Sequence, residues 1–369
     1  MKARTKIQFQ QLATIIVLWI AFAMCMSVYD HLLVHSMNTN GASEFYSFRY
    51  ALFSNCLSAI IGGLTGGVFL VFVINARYDD KPFYVTVLTA SAIYFAVIAI
   101  IIVVITGIAI TRSMGNNTVI SESWNVVKRF LTDETRVKNI LTWYVVVALT
   151  QVILQLNKRF GEGNLVRIIR GEYNVAHPEK KIFMFLDLND STRLAEKLGD
   201  ENYHHMLRDF FADISDEIVN NQGRVYQYVG DEVVIQWDFQ DSAPNDRCIR
   251  TFFDIKEKIA RQSGKYLKRY GVVPSFKAGL HYGRVVAGEV GTVKREITYS
   301  GDVLNTAARI MSMCSRLNTD LLVSSELAAV LETSRYSIHS HGAFALKGKE
   351  KEITLQSFIP VHEHLHAVA

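Results

Sequence analysis

Asp187 closes the apolar run "KIFMFLD", and Asp231 stands between two runs of strand-forming side chains in "VYQYVGDEVVIQW". A carboxylate just past a strand end is ordinarily a turn or capping residue. Two of them on neighbouring strands are different: they place paired hard oxygen ligands together, a combination suited to Mg²⁺ or Mn²⁺ bound with a phosphate substrate. A second constellation lies in "GDVLNTAARI", which sets Asn305 and Arg309 four residues apart, on one helix face. Gln227, an uncharged amide four residues before Asp231, is the odd member of its strand run.

These residues need elements to hold them. "KIFMFLDL" is a buried-strand run, and residues 225–237 have the form of a tight hairpin, with Gly and Asp at the turn. Between them, Leu194, Leu198, Leu207, Phe210, Phe211, Ile214 and Ile218 recur at helical spacing. A helix from Asn245 to Tyr270, a strand at "SFKAGLHYG", a connection at "GRVVAGEVGTVKREITYSG" and a helix at "DVLNTAARIMSMCSRL" follow. "DLLVSS", "HSHGAFALKG" and "ITLQSFIP" supply further strand signals. The order predicts an α+β domain: a ferredoxin-like or palm βαββαβ sheet with helices on one face.

The chain of 369 residues has two unlike halves. Four segments approach the ~20 apolar residues that span a bilayer: Leu12 to Tyr29, Ala51 to Ile74, Phe83 to Ile110 and Ile140 to Leu156. None holds an Asp, Glu, Lys or Arg, so nothing marks an ion or proton path. The first is read as an anchor, its apolar stretch exceeding a typical signal peptide. This gives a four-helix transmembrane domain over 1–156, a linker over 157–180, a soluble domain over 181–360 and a tail over 361–369. The "NLVRIIR" stretch of the linker can form about two helical turns, with Leu165, Ile168 and Ile169 on one side.

Lys and Arg at the N-terminus, in the Arg77 to Lys81 loop and at Lys158-Arg159 place the soluble domain in the cytoplasm; the basic Thr111 to Asn139 loop opposes that orientation. The expected location is the cell membrane, multi-pass, with the bilayer as a partner and no identifiable ligand for the membrane half. "GGLTGG" permits close helix packing. Cys25, Cys56, Cys248 and Cys314 form no metal-ligand spacing or disulfide framework. The formal net charge of +4, with no basic stripe, argues against nucleic acid. His204-His205 and the "HEHLHA" tail are read as solvated.

From about Lys181 to Pro360 the sequence resembles the class III nucleotide cyclases, through "FLDLNDST", "YQYVGDEVVI", "GLHYGRVVAGEVG", "REITYSGDVLNTAARI" and "LKGKE". The resemblance implies that Asp187, Leu188 and Asp231 hold two Mg²⁺ or Mn²⁺ ions, for attack of a ribose 3′-hydroxyl on the α-phosphate. It makes Arg309 the transition-state residue and Asn305 the group that orients the ribose. Arg284 and Lys347 or Lys349 are similar to triphosphate-contacting residues. In this family the acids come from one protomer and the Asn, Arg and base-reading pair from the other, which implies a homodimer.

The base-reading positions hold Gln227 and Thr298. Thr298 fits an adenylate type, whereas an amide at 227 both donates and accepts and suits either purine. ATP is the expected substrate, with GTP or both nucleotides as the alternative. "VGDEV" also resembles the diguanylate cyclase hairpin, but "LNTAAR" lies outside that pattern. A catalytically degenerate membrane receptor is the reading from another class.

Overall fold

A computed structural model of the chain describes residues 3–36, 47–74, 82, 84–96, 134–161, 164–239, 246–349 and 351–361. It divides into two compact units, Thr5–Glu162 and the segment from Gly163 onward.

The first unit is helical. Two of its helical stretches, Ile7–Ser36 and Phe48–Val73, are long and apolar enough to cross a membrane, and two more, Tyr84–Ala96 and Leu141–Asn157, are apolar but shorter. Among the described residues, therefore, two of the four expected spans reach full length. Phe83 and the stretch from 97 to 110 of the third lie outside the described residues, as do Arg77 to Lys81 and residues 111–133. The "GGLTGG" glycines are used within the chain. A Cβ on Gly66 would stand 2.2 Å from the Tyr94 ring, and one on Gly67 would stand 2.7 Å from Leu12. Trp19 is buried against Tyr94 and Trp143, and its indole N–H donates to Thr150 Oγ1 at 3.0 Å.

The second unit is built on an eight-stranded sheet in the order β2-β3-β1-β4-β6-β8-β7, with β5 paired to β4. The strands are β1 His177–Leu188, β2 Arg224–Val229, β3 Glu232–Asp238, β4 Phe276–Val290, β5 Glu296–Ser300, β6 Leu321–Ser324, β7 Tyr336–Phe344 and β8 Ile353–Pro360. The first four in this spatial order, β2-β3-β1-β4, reproduce the βαββαβ arrangement expected. "GRVVAGEVGTVKREITYSG" is more than a connection: β4 runs on to Val290 and returns as β5. The two long helical stretches are each broken, at Gly199 and at Gln262. Gly199 sits at φ +74°, a conformation that glycine adopts without a Cβ penalty.

β1 is the central strand, and its residues 181–186 are all buried. Ile182, Met184, Leu186 and Leu188 pack against Met206, Phe210, Ile214 and Ile218 of the Asp200–Asn220 helix and against Phe252 and Ile255 of the Arg247–Arg261 helix. Phe183 and Phe185, pointing the other way, join Val285, Tyr299, Val303, Ala307 and Met311. The expectation of helices on one face is thus corrected. The second face is partly covered by the Asp302–Met313 helix, because a strand apolar on both sides leaves a second surface to bury.

Gly279 makes that second cover possible. A Cβ there would lie 2.2 Å from Met311 N and 2.6 Å from Ala307 O, both main-chain atoms that cannot swing aside. Gly279→Ala should therefore lift the Asp302–Met313 helix and cost about 3 kcal/mol. Chemical denaturation of the full-length protein in detergent checks this; an unchanged midpoint would mean that the helix is not seated there.

Candidate active site

The strand register brings the acids together. Asp187 lies opposite Glu232 on β3 and opposite Lys277 on β4. Val229 pairs with Glu232 across the two-residue turn Gly230-Asp231, and Gly230 has φ +62°. Glycine with positive φ in the first turn position is the II′ hairpin arrangement, whose twist suits the flanking strands. Asp231 is thereby held at the hairpin tip beside Asp187.

Burial and crowding show in the protonation of Asp187 and Glu232. Burial raises the Asp187 carboxyl and the neighbouring Asp231 raises it further, while Lys277 opposes the shift. Glu232 is pushed up to about 7, chiefly by burial and then by Asp187 and Asp231. Burial, and then Asp231, also raise the Tyr203 hydroxyl. The Lys277 ammonium stands 3.2 Å from Asp187 Oδ2. One side-chain oxygen, Asp231 Oδ2, is buried with no hydrogen-bond partner. An orphaned buried carboxylate oxygen in a like-charge cluster lacks a cation, and hard oxygen donors fit a divalent one. Asp187 and Asp231 are donors of that kind, with Glu232 opposite Asp187 in the ladder.

Leu188 is buried on the opposite face, its main chain following directly on Asp187. The sequence left Glu232 without a role and missed Lys277. Nothing in "SFKAG" marks that lysine; only the β1–β4 register places it beside Asp187.

The remaining predicted residues lie elsewhere. Asn305 is exposed and Arg309 half-buried on the Asp302–Met313 helix, with the Arg309 guanidinium beside the Gly348 turn. Lys349 is bonded to Asp302, and that hydrogen bond holds the Asp302 carboxyl below the usual carboxylate range. Lys347 is exposed and has no ion-pair partner among the described residues. Arg284 is exposed on β4. Gln227 is exposed on β2 next to a bulge between Val225 and Gln227. Thr298 pairs with Gly288, and its hydroxyl lies 3.4 Å from the Gly288 carbonyl oxygen.

Tyr299, adjacent to Thr298, packs on Phe183 with ring centroids 5.6 Å apart. Asp187 is four residues beyond Phe183, about 13 Å along the strand. No hydrogen bond or ion pair among the described residues joins the acids to Asn305, Arg309 or Thr298. Among the described residues the acids at the β1 end and the Asn305–Arg309 helix are thus two separate groups.

Residues 175–357 match the family described as adenylate and guanylate cyclase catalytic domain. That segment is a class III cyclase catalytic domain. The chain is 34% identical to adenylate cyclase 2 of Rhizobium meliloti (strain 1021) over 206 residues, 56% of this chain and 57% of the relative. It is 28% identical to adenylate cyclase 1 of the same organism over 151 residues, 40% of this chain and 22% of that one. The chain thus spans about half the first of these relatives and less of the second. The solved structure of a bacterial light-regulated adenylyl cyclase superposes with a TM-score of 0.53 at 21% identity, over 62% of this chain and 67% of that chain. At that identity the likeness is one of fold.

A further set of possible metal-binding groups, Glu172, His177 and Glu179, lies at the start of the cyclase domain. Its carboxylates already have cations: Glu179 Oε2 is 2.7 Å from Lys181 and Glu172 Oε2 is 3.7 Å from Arg167. This charge pairing explains the cluster without an ion.

Asp231→Asn removes one of the three crowded charges of the cyclase domain and supplies an amide donor. It should raise the metal-free thermal midpoint by about 3 °C, equivalent to about 1 kcal/mol, and abolish the rise that Mn²⁺ produces in the parent protein. Thermal melts with and without Mn²⁺ check both effects; a lower metal-free midpoint would show that the carboxylate is a structural acceptor.

Proposed function

We propose that the chain is a membrane-bound adenylate cyclase, converting ATP to 3′,5′-cyclic AMP and pyrophosphate at sites shared between two copies. The observation that carries the reading is the Asp187, Asp231 and Glu232 cluster with its unpartnered buried oxygen, at the strand end of a cyclase-family domain. The names of the two Rhizobium relatives favour the adenylate over the guanylate activity. Gln227 supports GTP as the second reading, since its amide can donate or accept.

Asp187, the main chain at Leu188 and Asp231 would hold two Mg²⁺ or Mn²⁺ ions, which supply acidification of the ribose 3′-hydroxyl and neutralisation of triphosphate charge. The other steps fall to side chains of the partner copy. Arg309 offers a planar fork of donors to the phosphoryl oxygens, where charge grows in the transition state. Asn305, one turn earlier on the same face, holds the ribose so that its 3′-oxygen lies in line with the α-phosphate. Thr298 and Gln227 read the base. Lys347 and Arg284, both exposed, are available to the triphosphate, whereas Lys349 is engaged with Asp302.

The placement of the two groups supports sharing between copies. No hydrogen bond or ion pair among the described residues joins the acids to the Asn305–Arg309 helix face, and a head-to-tail pair with two equivalent sites would complete both. The helical unit, with two full-length apolar helices and two shorter ones, would anchor the protein as a multi-pass membrane domain over 1–156. Residues 157–180 would couple it to a cytoplasmic catalytic domain over 181–360.

Purified full-length protein should convert ATP faster than GTP with Mn²⁺ or Mg²⁺. Asp187→Asn and Arg309→Ala chains should each be inactive alone. Mixed as a proven heterodimer, they should recover activity from one intact site, up to about a quarter of the parent rate in a random mixture. Absence of recovery would remove the shared site, and faster turnover of GTP would reverse the substrate assignment.

A further inference from the structure

The two proposed base-reading positions each adjoin a tyrosine that packs inward. Tyr226 precedes Gln227 and Tyr299 follows Thr298, and their rings meet edge to face with centroids 5.1 Å apart. Both rings also pack on Phe183 of the central strand. The base-reading residues are therefore carried on neighbours of one aromatic cluster, and whatever fixes that cluster fixes them.

What fixes it comes partly from outside the sheet. Tyr173, in the segment before β1, is 1% exposed and belongs to the same buried cluster as Phe183 and Tyr299. Its hydroxyl accepts from Arg167 Nη1 at 2.8 Å, and Arg167 lies on the short Asn164–Ile169 helix. Its ring stacks on His177 with centroids 5.8 Å apart, and its carbonyl accepts from Glu289 N at 3.0 Å. Glu289 adjoins Gly288, the residue paired with Thr298. Tyr299 shares that buried cluster, where burial raises its hydroxyl and the Tyr173 hydroxyl adds to the rise. Tyr173 thus meets the β4–β5 pair that carries Thr298 twice: by its main chain at Glu289 of β4 and by its side chain in the cluster of Tyr299.

The close fit continues at Gly288, where a Cβ would stand 3.1 Å from Ala176 Cβ. The preceding segment lies against β4 at the level of Thr298. A buried lysine completes the surroundings. Lys181 is 2% exposed, is paired with Glu179 and Asp238, and has its ammonium 5.5 Å from the Tyr299 ring centroid. A desolvated ammonium with both partners in place is costly to displace, so it keeps one side of Tyr299 rigid. The other side depends on Tyr173.

We infer that Tyr173 is a positioning residue for base selection: through Tyr299 it sets Thr298, so that the segment preceding β1 controls which purine is accepted. The inference rests on the proposed cyclase reading. Tyr173 itself touches no nucleotide in this scheme; it acts through its packing in the Tyr299 cluster and through its hold on β4.

The test uses full-length protein with ATP and GTP in parallel, for the parent, Tyr173→Phe, Thr298→Ala and the double variant. Tyr173→Phe keeps the ring and loses the hydroxyl. It should lower the ATP-to-GTP ratio of kcat/KM about fivefold, mainly by raising the KM for ATP, as expected for one lost hydrogen bond. In the Thr298→Ala background it should change the ratio no further, because the residue through which it acts is gone. Tyr299→Phe, which removes the second hydroxyl of the cluster, should reproduce the loss and serves if Tyr173→Phe fails to fold.

An unchanged ratio in both Phe variants, or effects of Tyr173→Phe and Thr298→Ala that add in full, would overturn the inference while leaving the cyclase reading intact. A parent protein that cyclises neither nucleotide would overturn the cyclase reading itself.

Discussion

The alternation of β1 is the constraint on which the rest depends. Successive side chains of a strand face opposite ways, and β1 is buried on both sides, so each residue from Lys181 to Leu188 is committed to one of two environments. Met184 and Leu186 are committed to the helices of one face, Phe183 and Phe185 to the aromatic cluster of the other. Asp187 then shares the face of Phe183 and Phe185, as do Glu232 and Lys277, its partners across the ladder. A slip of one residue would send Asp187 into the apolar core and the phenylalanines out. The position of the acid is therefore enforced by the apolar residues before it.

That enforcement is costly at the strand end. Three carboxylates meet where the sheet holds them rigidly, and Lys277 is the cation set against them. Ordinary folding would relieve such crowding by letting a side chain turn to water. Here the hairpin turn and the β1–β3 register prevent it, so Glu232 rises to about 7 and one Asp231 oxygen stays buried without a partner. Local instability of this kind is a common property of sites whose charges are completed by a ligand. The stable part of the domain supplies the rigidity, and the site consumes some of the stability.

Much of this was legible in the sequence, for identifiable reasons. β1 and the β2–β3 hairpin could be read because their apolar runs are bounded by Gly and Asp, and the Asp200–Asn220 helix because Phe210, Ile214 and Ile218 recur at helical spacing. The pair Asp187 and Asp231 could be named, but Lys277 could not, since it depends on register between strands some 90 residues apart. The turn of β4 into β5 was hidden because Gly288 and Gly291 interrupt an otherwise strand-like run and read as loop. The second face was missed because an apolar stretch says that a strand is buried, not how many layers bury it. In the helical unit, Gly66 and Gly67 signalled close packing, but their partners Tyr94 and Leu12 are set by tertiary structure alone.

The same two-sided burial accounts for the unequal covering of the sheet. On one face, long helices with broad apolar stripes close the core within the chain. On the other, the cover is a single twelve-residue helix admitted by Gly279, together with the segment around Tyr173. These thin covers carry Asn305 and Arg309 or contact the neighbours of Thr298. A face covered so lightly can expose polar groups for a substrate and a second copy, where a fully packed layer would bury them. Its geometry consequently depends on a few contacts, such as Tyr173 with Tyr299 and Gly279 with Met311, far more than on the bulk of the core.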